Sequence, residues 1–447
     1  MDLIERKGDK LYDGEKELRF ISINAPTLLD VTPWEQEDLI RSISQIGGRV
    51  TRTYTFSVNT VKEGSGSETG KFILGESNYN ESALVRLDRL LEICNKCGIR
   101  IIIPFIDPYE YNGGIPAFND FFGKKISEEN STIRNAAIFY EDTEIRNSFF
   151  RFVDTIVNRK NTVTGCLYKD DPAILAWESG NELPYYHEAL DLYDNWNKTW
   201  IQTIRRSDKN HLILDGSSFG IRKEAADDPD IDIVSIHMYP HIVDKDFSSI
   251  SRDFRDFYKG KKAGIIGEFG FIGPSEAEIL YDEIIANGIT GSLLWSLREH
   301  SELGGSIRHR ENDKYYSYHW PGTSAGEGYD EIEMMRLTSC KAHEISGEEQ
   351  NSIPVPDEPS ILYASENKED QLQWVGSTGA EYYELQSLCD DGISWKIISG
   401  KLIESWRDKD GKTVWNNEDL VLTKGSYRMR AVNRTGCSNW TEPYIIK

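Results

Sequence analysis

Long apolar runs are missing from this chain. The apolar stretches, such as Ile101 to Ile106 and Ile233 to Ile236, have the length of a β-strand and fall far short of the roughly 20 residues that span a bilayer, so no membrane span is expected. A basic surplus is missing as well: 51 Lys and Arg stand against 74 Asp and Glu, for a net charge of -23. Such a chain repels nucleic acid and anionic lipid, and no Lys/Arg run offsets the repulsion, which excludes nucleic acid as a partner. With 36 Gly and 15 Pro in 447 residues, glycine and proline are too sparse for a collagen-like or disordered chain. Of the six cysteines, Cys166, Cys340, Cys389 and Cys437 have no framework spacing. Cys94-Asn-Lys-Cys97 is the one close pair, and it ends an amphipathic segment without a second ligand pair. It therefore reads as structural rather than as a redox or zinc motif. Met1-Asp2-Leu3-Ile4 runs straight into a polar hairpin-like segment without the pattern of a signal peptide. That points to the cytoplasm, or to an extracellular or periplasmic place if a leader has been removed.

What the chain does have is enough apolar material, 38% with 11% aromatics, to bury a full core. Short apolar runs alternate with amphipathic stretches, the pattern of a parallel α/β fold. The runs are 19–24, 49–56, 100–107, 174–182, 211–216, 231–240, 264–270 and 291–297. Helix-like segments at 33–46, 82–97, 144–158, 188–205 and 276–286 lie between them, and one more is expected over 329–343. Ser275-Glu-Ala-Glu278 reads as a capping box opening the seventh helix. The expectation is a (β/α)8 TIM barrel over 1–345, its floor covered by a hairpin of 4–7 and 10–12. Long polar connections at 62–80, 112–142 and 299–328 follow strands two, three and eight, at the strand ends where barrel active sites sit. A Pro-rich linker is expected over 346–360, and after it a small all-β sandwich over 361–447 with alternating strands and no helical period.

Two strand ends carry the chemistry. Asp171-Pro-Ala-Ile-Leu-Ala-Trp-Glu-Ser-Gly-Asn181-Glu182 is an apolar strand closing on an amide and a carboxylate, and Gly264-Ile-Ile-Gly-Glu268-Phe-Gly270 closes on a carboxylate between glycines. An unpaired charge is expensive in such surroundings, so each glutamate is a candidate for function. Strands four and seven lie on opposite sides of a barrel mouth, where the two carboxyls would face one another across a sugar. Retaining glycoside hydrolysis needs that pair about 5 to 5.5 Å apart, one protonated and one ionised. In the sixth strand His237 and Tyr239 share a face. Tyr239 and Arg52 are placed to donate to Glu268, lower its pKa and leave Glu182 as the proton donor. Asn181 would bond the sugar 2-hydroxyl, and Trp295 would floor a pyranose ring.

Taken together, 171–182, Glu268, His237 with Tyr239, Arg52 and Trp295 resemble the signature set of glycoside hydrolase clan A, most closely family 5 enzymes of the β-mannanase and β-mannosidase type. Asn161 to Pro172 and Arg100 to Pro116, with Gly113-Gly114, are similar to the corresponding runs. The resemblance covers about residues 5 to 345. It implies endo-acting hydrolysis of β-1,4-mannan by double displacement, an oligo- or polysaccharide substrate and no metal or cofactor. Trp374 and 427–433 resemble, more loosely, a fibronectin type III module.

There are departures from the family pattern. Asn181-Glu182 is followed by Leu183-Pro184 where the family often has proline directly, and the third-strand loop reads Phe105-Ile-Asp107-Pro-Tyr109-Glu-Tyr111, with Tyr109 as its candidate aromatic. The eighth loop is long and carries His300, His309, His319 and Trp320, which serve either as a subsite or as loop packing. Such an insertion could block one end of a cleft, so an exo-acting β-mannosidase and a β-1,4-glucanase stay open, as does a silent carbohydrate-binding barrel. Gly64-Ser-Gly-Ser-Glu-Thr-Gly70-Lys71 fails the spacing of a phosphate loop.

Overall fold

A computed structural model describes residues 1–60, 70–218, 220, 222–240, 246–311, 315–323, 325–326, 329–350, 352–364, 372–407, 413–414, 417 and 420–447. Residues 64–69 of the glycine-rich segment, and parts of the second and eighth loops and of the linker, lie outside them. Two compact units emerge. The first takes in 1–33, 49–270 and 279–295; the second takes in 34–48, 271–278 and 296–447.

The first unit is the barrel. Its strands are β1 (Phe20–Ile23), β2 (Val50–Arg52), β3 (Arg100–Pro104), β4 (Ile174–Glu178), β5 (Leu212–Leu214), β6 (Ile233–Met238), β7 (Ala263–Phe269) and β8 (Gly291–Leu294). They form one 8-stranded parallel sheet in the order β1-β8-β7-β6-β5-β4-β3-β2. Closure between β1 and β2 comes from Thr51 Oγ1 donating to the Ile23 carbonyl at 2.8 Å and Ala25 N–H to the Arg52 carbonyl at 3.1 Å. This is the TIM barrel read from the alternating runs. A strand falls on each expected run, and most strands are shorter at one or both ends because the ladder pairs stop before the apolar run does. Three antiparallel strands, Ile4–Lys7, Lys10–Asp13 and Lys16–Leu18, precede β1. Their Ile4, Leu11 and Leu18 join Phe20, Val50, Ile102, Leu175, Leu212, Ile265 and Leu293 in one buried core. Each such side chain contributes roughly 1.5–3 kcal/mol by burial, so the hairpin seals the barrel base.

The helices alternate with the strands: Pro33–Ile46, Glu81–Cys97, Thr143–Val157, Leu190–Ser207, Phe247–Tyr258, Pro274–Asn287 and Glu331–Ser346. Asn80 caps the second of these by accepting the Ser82 N–H, and Gly98 ends it at φ 72. Two expectations are corrected. The connection 112–142 is not a polar loop throughout: Gly114–Asp120 and Thr132–Glu141 are helices that bury Phe118, Phe139 and Tyr140 in an aromatic cluster with Phe149 and Trp196. Ser275 is not a cap, because Pro274 already opens the helix, where its fixed φ and missing N–H fit the first turn. Among the described residues, no helix is long and apolar enough to cross a membrane.

In the second unit, Ser360–Ala364 pairs with Leu372–Val375, while Tyr382–Leu388, Trp395–Leu402, Gly425–Asn433, Gly436–Cys437 and Tyr444–Ile446 form a 5-stranded antiparallel sheet. Trp374 from the first pair and Tyr383, Leu385, Tyr427 and Met429 from the larger sheet share one core. Tyr427, paired on both sides within that sheet, donates its hydroxyl to the Thr423 carbonyl at 2.7 Å.

Candidate active site

Arg52, at the end of β2, is the hub of the barrel mouth and is 1% exposed. Its Nε and Nη2 donate to the two oxygens of Glu178 at 2.6 and 3.0 Å, its Nη1 to Glu268 Oε1 at 2.7 Å, and Nη2 also to Asn181 Oδ1 at 2.9 Å. The rigid guanidinium fork suits such multidentate work. Burial opposes its charge, but Glu178 and then Glu268 outweigh that penalty and hold Arg52 protonated.

Glu268 reaches the mouth through a bulge. Ile236 pairs with Ile266 but His237 with Glu268, and the β7–β8 register also gains one residue between Ile266 and Phe269, so Gly267 is the extra position. A bulge re-aims the side chain that follows it. Only glycine fits there, since a Cβ would lie 2.3 Å from Ser235 Oγ and 3.0 Å from His237 Nε2. Tyr239 completes the setting by donating its hydroxyl to Glu268 Oε2 at 2.6 Å.

Glu182 sits at φ 47, a left-handed conformation that costs a side-chain-bearing residue about 1–2 kcal/mol. The surrounding backbone imposes it. Asn181 N–H donates to the Ile106 carbonyl and Leu183 N–H to the Gly216 carbonyl, both at 2.8 Å. The chains approach so closely that a Cβ on Gly180 would meet the Ile106 oxygen at 2.4 Å, and one on Gly216 the Gly180 oxygen at 2.0 Å. The departure Asn-Glu-Leu thus has a physical use, because proline at 183 could not donate to Gly216. His237 Nδ1 lies 2.8 Å from Glu182 Oε1 and 3.5 Å from Glu268 Oε2, and the Tyr109 side chain is hydrogen-bonded to Glu182. Trp295 stands edge-on to Tyr54, ring centroids 6.3 Å apart.

One atom each from Glu182, His237 and Glu268 fall within 4.8 Å of one another. A borderline divalent ion takes such donors, but Arg52 on Glu268 adds a positive charge that opposes a cation. The titration of the site differs from expectation at one point. Burial raises the Glu268 pKa and Glu182 adds to the rise; His237, Arg52 and the Tyr239 hydrogen bond pull it down, and the net direction is upward. Donors alone were expected to depress it, but they do not overcome burial. Burial likewise takes His237 down to about 4, so its ring is neutral near neutrality.

The structure therefore brings Arg52, Tyr109, Asn181, Glu182, His237, Tyr239 and Glu268 together, with Trp295 beside them through Tyr54. His300 and Trp320 belong to the second unit, and the subsite reading gives way to a framework role there. His300 Nδ1 lies 2.9 Å from Asp38 Oδ1 and its Nε2 3.3 Å from Glu404 Oε1, while Trp320 is 3% exposed and donates to Gln45 at 2.9 Å. His319 is spent in the same way, on Glu331 and the Ile307 carbonyl. Sequence reasoning missed Glu178, Tyr54 and Asp107. The signals were present: a carboxylate ends the apolar run 174–178, Tyr54 lies two residues past Arg52, and Asp107 is a lone acid closing an apolar run.

Residues 68–245 match the family described as GH family 5 beta-mannosidase-like. The likeness is to glycoside hydrolase family 5. The chain is 30% identical over 223 residues to mannan endo-1,4-beta-mannosidase F of Aspergillus clavatus, covering 44% of this chain and 46% of that protein. It is 26% identical over 230 residues to mannan endo-1,4-beta-mannosidase 1 of Arabidopsis thaliana, covering 45% and 50%. The match thus spans about half the length of these curated relatives. The endo-1,4-beta-mannanase of Rhizomucor miehei superposes with a TM-score of 0.62 at 18% identity, over 78% of this chain and 100% of that one. The endo-beta-1,4-mannanase of Thermotoga petrophila does so with 0.61 at 17% identity, over 97% and 99%. At these identities the superpositions establish the shared barrel fold.

Proposed function

We propose that the chain is a retaining β-glycoside hydrolase acting on β-1,4-mannan, with Glu268 as nucleophile and Glu182 as acid/base. The observation that carries this reading is the approach of the two carboxylates within 4.8 Å. So close an approach of one oxygen from each suits direct attack on the anomeric carbon better than the roughly 6.5–9.5 Å across which an inverting pair holds a water. In the first step a Glu268 oxygen bonds to C1 as the C1–oxygen bond to the leaving group breaks, and Glu182 gives its proton to the departing oxygen. In the second, Glu182 takes a proton from water, whose oxygen displaces Glu268 from C1. Arg52 and Tyr239 steady the negative charge that returns to Glu268, neutral His237 orients Glu182, and Asn181 binds the 2-hydroxyl. The sugar is assigned from the named relatives, which are mannan endo-1,4-beta-mannosidases.

Endo action on mannan is the first reading. An exo-acting β-mannosidase is the second, favoured by the description of the family matched over 68–245. Product analysis from mannohexaose and cellohexaose separates them: a spread of short manno-oligosaccharides supports endo action, stepwise release of mannose supports exo action, and cleavage of cellohexaose alone moves the assignment to a glucanase. Binding without any release of reducing ends would instead mark a silent carbohydrate-binding barrel. We further assign 1–345 to the catalytic barrel, 346–360 to a linker and 361–447 to a fibronectin type III-like sandwich. The Tyr427–Thr423 bond supports the last, since such sandwiches tie a tyrosine hydroxyl to backbone a few residues upstream.

A further inference from the structure

Asp107 follows β3 and is fully buried, although among the described residues no lysine or arginine forms an ion pair with it. Its backbone is clamped: the Ile115 N–H donates to the Asp107 carbonyl at 2.7 Å, and a Cβ on Gly114, which has φ 55, would strike that carbonyl at 2.4 Å. Oδ1 accepts the Tyr109 N–H at 2.6 Å, the Tyr54 phenol is the neighbour of the same carboxyl, and Oδ2 has no partner.

Tyr54 is also the neighbour of Asn181, whose Nδ2 donates to the phenol oxygen at 3.3 Å. A phenol has one proton to give. With Asn181 donating to it, the Asp107 carboxyl is the neighbouring acceptor for that proton. The chain of bonds then sets the carboxamide: its oxygen takes Arg52 at 2.9 Å, one of its N–H groups is on Tyr54, and the other is left for a ligand. Without an acceptor at 107, the phenol proton would be released to turn toward Asn181 and the order of donors would be lost. We propose that Asp107 is a positioning residue which, acting through Tyr54, holds Asn181 with its remaining N–H presented to the sugar 2-hydroxyl. This rests on the reading of the site as a glycoside hydrolase centre. Burial, to which Glu182 and Glu268 add, pushes the Asp107 carboxyl up to about 8. The neutral acid keeps a carbonyl oxygen with two lone pairs for the Tyr109 and Tyr54 donors, so the group requires an acceptor at that place rather than a charge.

The test uses the full chain and an aryl β-mannoside, alongside its 2-deoxy counterpart. Asp107→Leu removes the acceptor and is expected to lower kcat/KM about ten-fold on the parent glycoside. Asp107→Asn keeps a carbonyl oxygen for the same donors and is expected to stay within about three-fold of wild type. If the effect runs through Asn181, the Asp107→Leu loss shrinks below about two-fold on the 2-deoxy substrate and in an Asn181→Ala background. Where Asp107→Leu does not fold, Tyr54→Phe breaks the same chain of bonds and enters the same cycle. A loss that is equal on both substrates and additive with Asn181→Ala overturns the proposal while leaving the glutamate pair in place. A wild-type chain that hydrolyses neither glycoside, or a Glu268→Gln variant as active as wild type, overturns the underlying reading and this one with it.

Discussion

Two buried histidine–carboxylate clusters in this chain are built from the same residue types and titrate in opposite directions. In the barrel mouth, burial lowers His237 to about 4 and raises Glu268. In the second unit, His300 is raised well above its ordinary value and Asp38 is lowered; burial works against both charges there, but each group supplies the other's main attraction, and Glu404 adds to the rise of His300. The difference lies in what else is present. Arg52 supplies the cation of the barrel cluster and, after burial, its charge is among the influences on His237. Among the described residues no arginine joins His300, whose ring and backbone N–H both meet Asp38 while Thr378 donates to Asp38 at 2.7 Å. A cluster built for stability matches its charges, whereas one built for chemistry keeps a carboxylate that gains from taking up a proton.

The sharpest way to break the comparison is at the carboxylates. Glu182→Gln is expected to cost about 10²–10⁴-fold in kcat, and Glu268→Gln at least as much, with little loss of folding stability. Steady-state rates on an aryl β-mannoside, set beside thermal unfolding, check this. Near wild-type rates would reduce the barrel cluster to a framework like that of His300. Next comes the cation. Arg52→Met leaves Glu178 and Glu268 buried and uncompensated and is expected to cost about 3–5 kcal/mol by denaturant unfolding. His237 should then titrate higher, because a positive neighbour has gone, which NMR of the ring protons reads directly.

A pH series separates the two histidines by sign. For His237 the folded pKa lies below the unfolded 6.5, so its contribution to stability is present above 6.5 and lost as pH falls toward about 4. For His300 the folded pKa is raised, so its contribution is complete below about 6.5 and fades as pH climbs through the folded value. His300→Gln is therefore expected to lose roughly 2–3 kcal/mol at pH 6 and less under alkaline conditions, and His237→Gln should flatten the acid limb. Parallel profiles for the two variants would erase the distinction. Leu183→Pro loses the N–H bond to Gly216 and part of a fully buried side chain, for about 2–3 kcal/mol. Proline also disfavours a left-handed residue before it, so kcat should fall more than the melting temperature suggests.

Much of the barrel was legible in the chain because its elements announce themselves by period: a strand falls on every expected run, and Pro33–Ile46 has the expected bounds. At the barrel mouth Glu182 and Glu268 were legible because a charge closing an apolar strand is conspicuous, and His237 with Tyr239 because the strand alternation puts them on one face. What stayed hidden depended on contacts distant in sequence. Glu178 reads as one more strand residue until Arg52, 126 positions away, is seen to lie across it. Asp107 gains meaning only through Tyr54, and the helices within 112–142 are short, the first of them opening on a glycine and a proline that read as loop residues. His300 and Trp320 misled for the complementary reason: histidine and tryptophan in a long loop suggest a ligand, and only the partners Asp38, Glu404 and Gln45 show what occupies them.

The extra residue at Gly267 makes the direction of the neighbouring carboxylate a matter of parity. Side chains along a strand point alternately to either side, so the odd position in β7 decides which side receives Glu268. Deleting that one glycine would keep every acidic and basic group in the chain and yet turn this carboxylate away from Arg52 and Tyr239. The centre is thus written partly in a head-count of backbone units, a form of information that no inventory of reactive side chains contains.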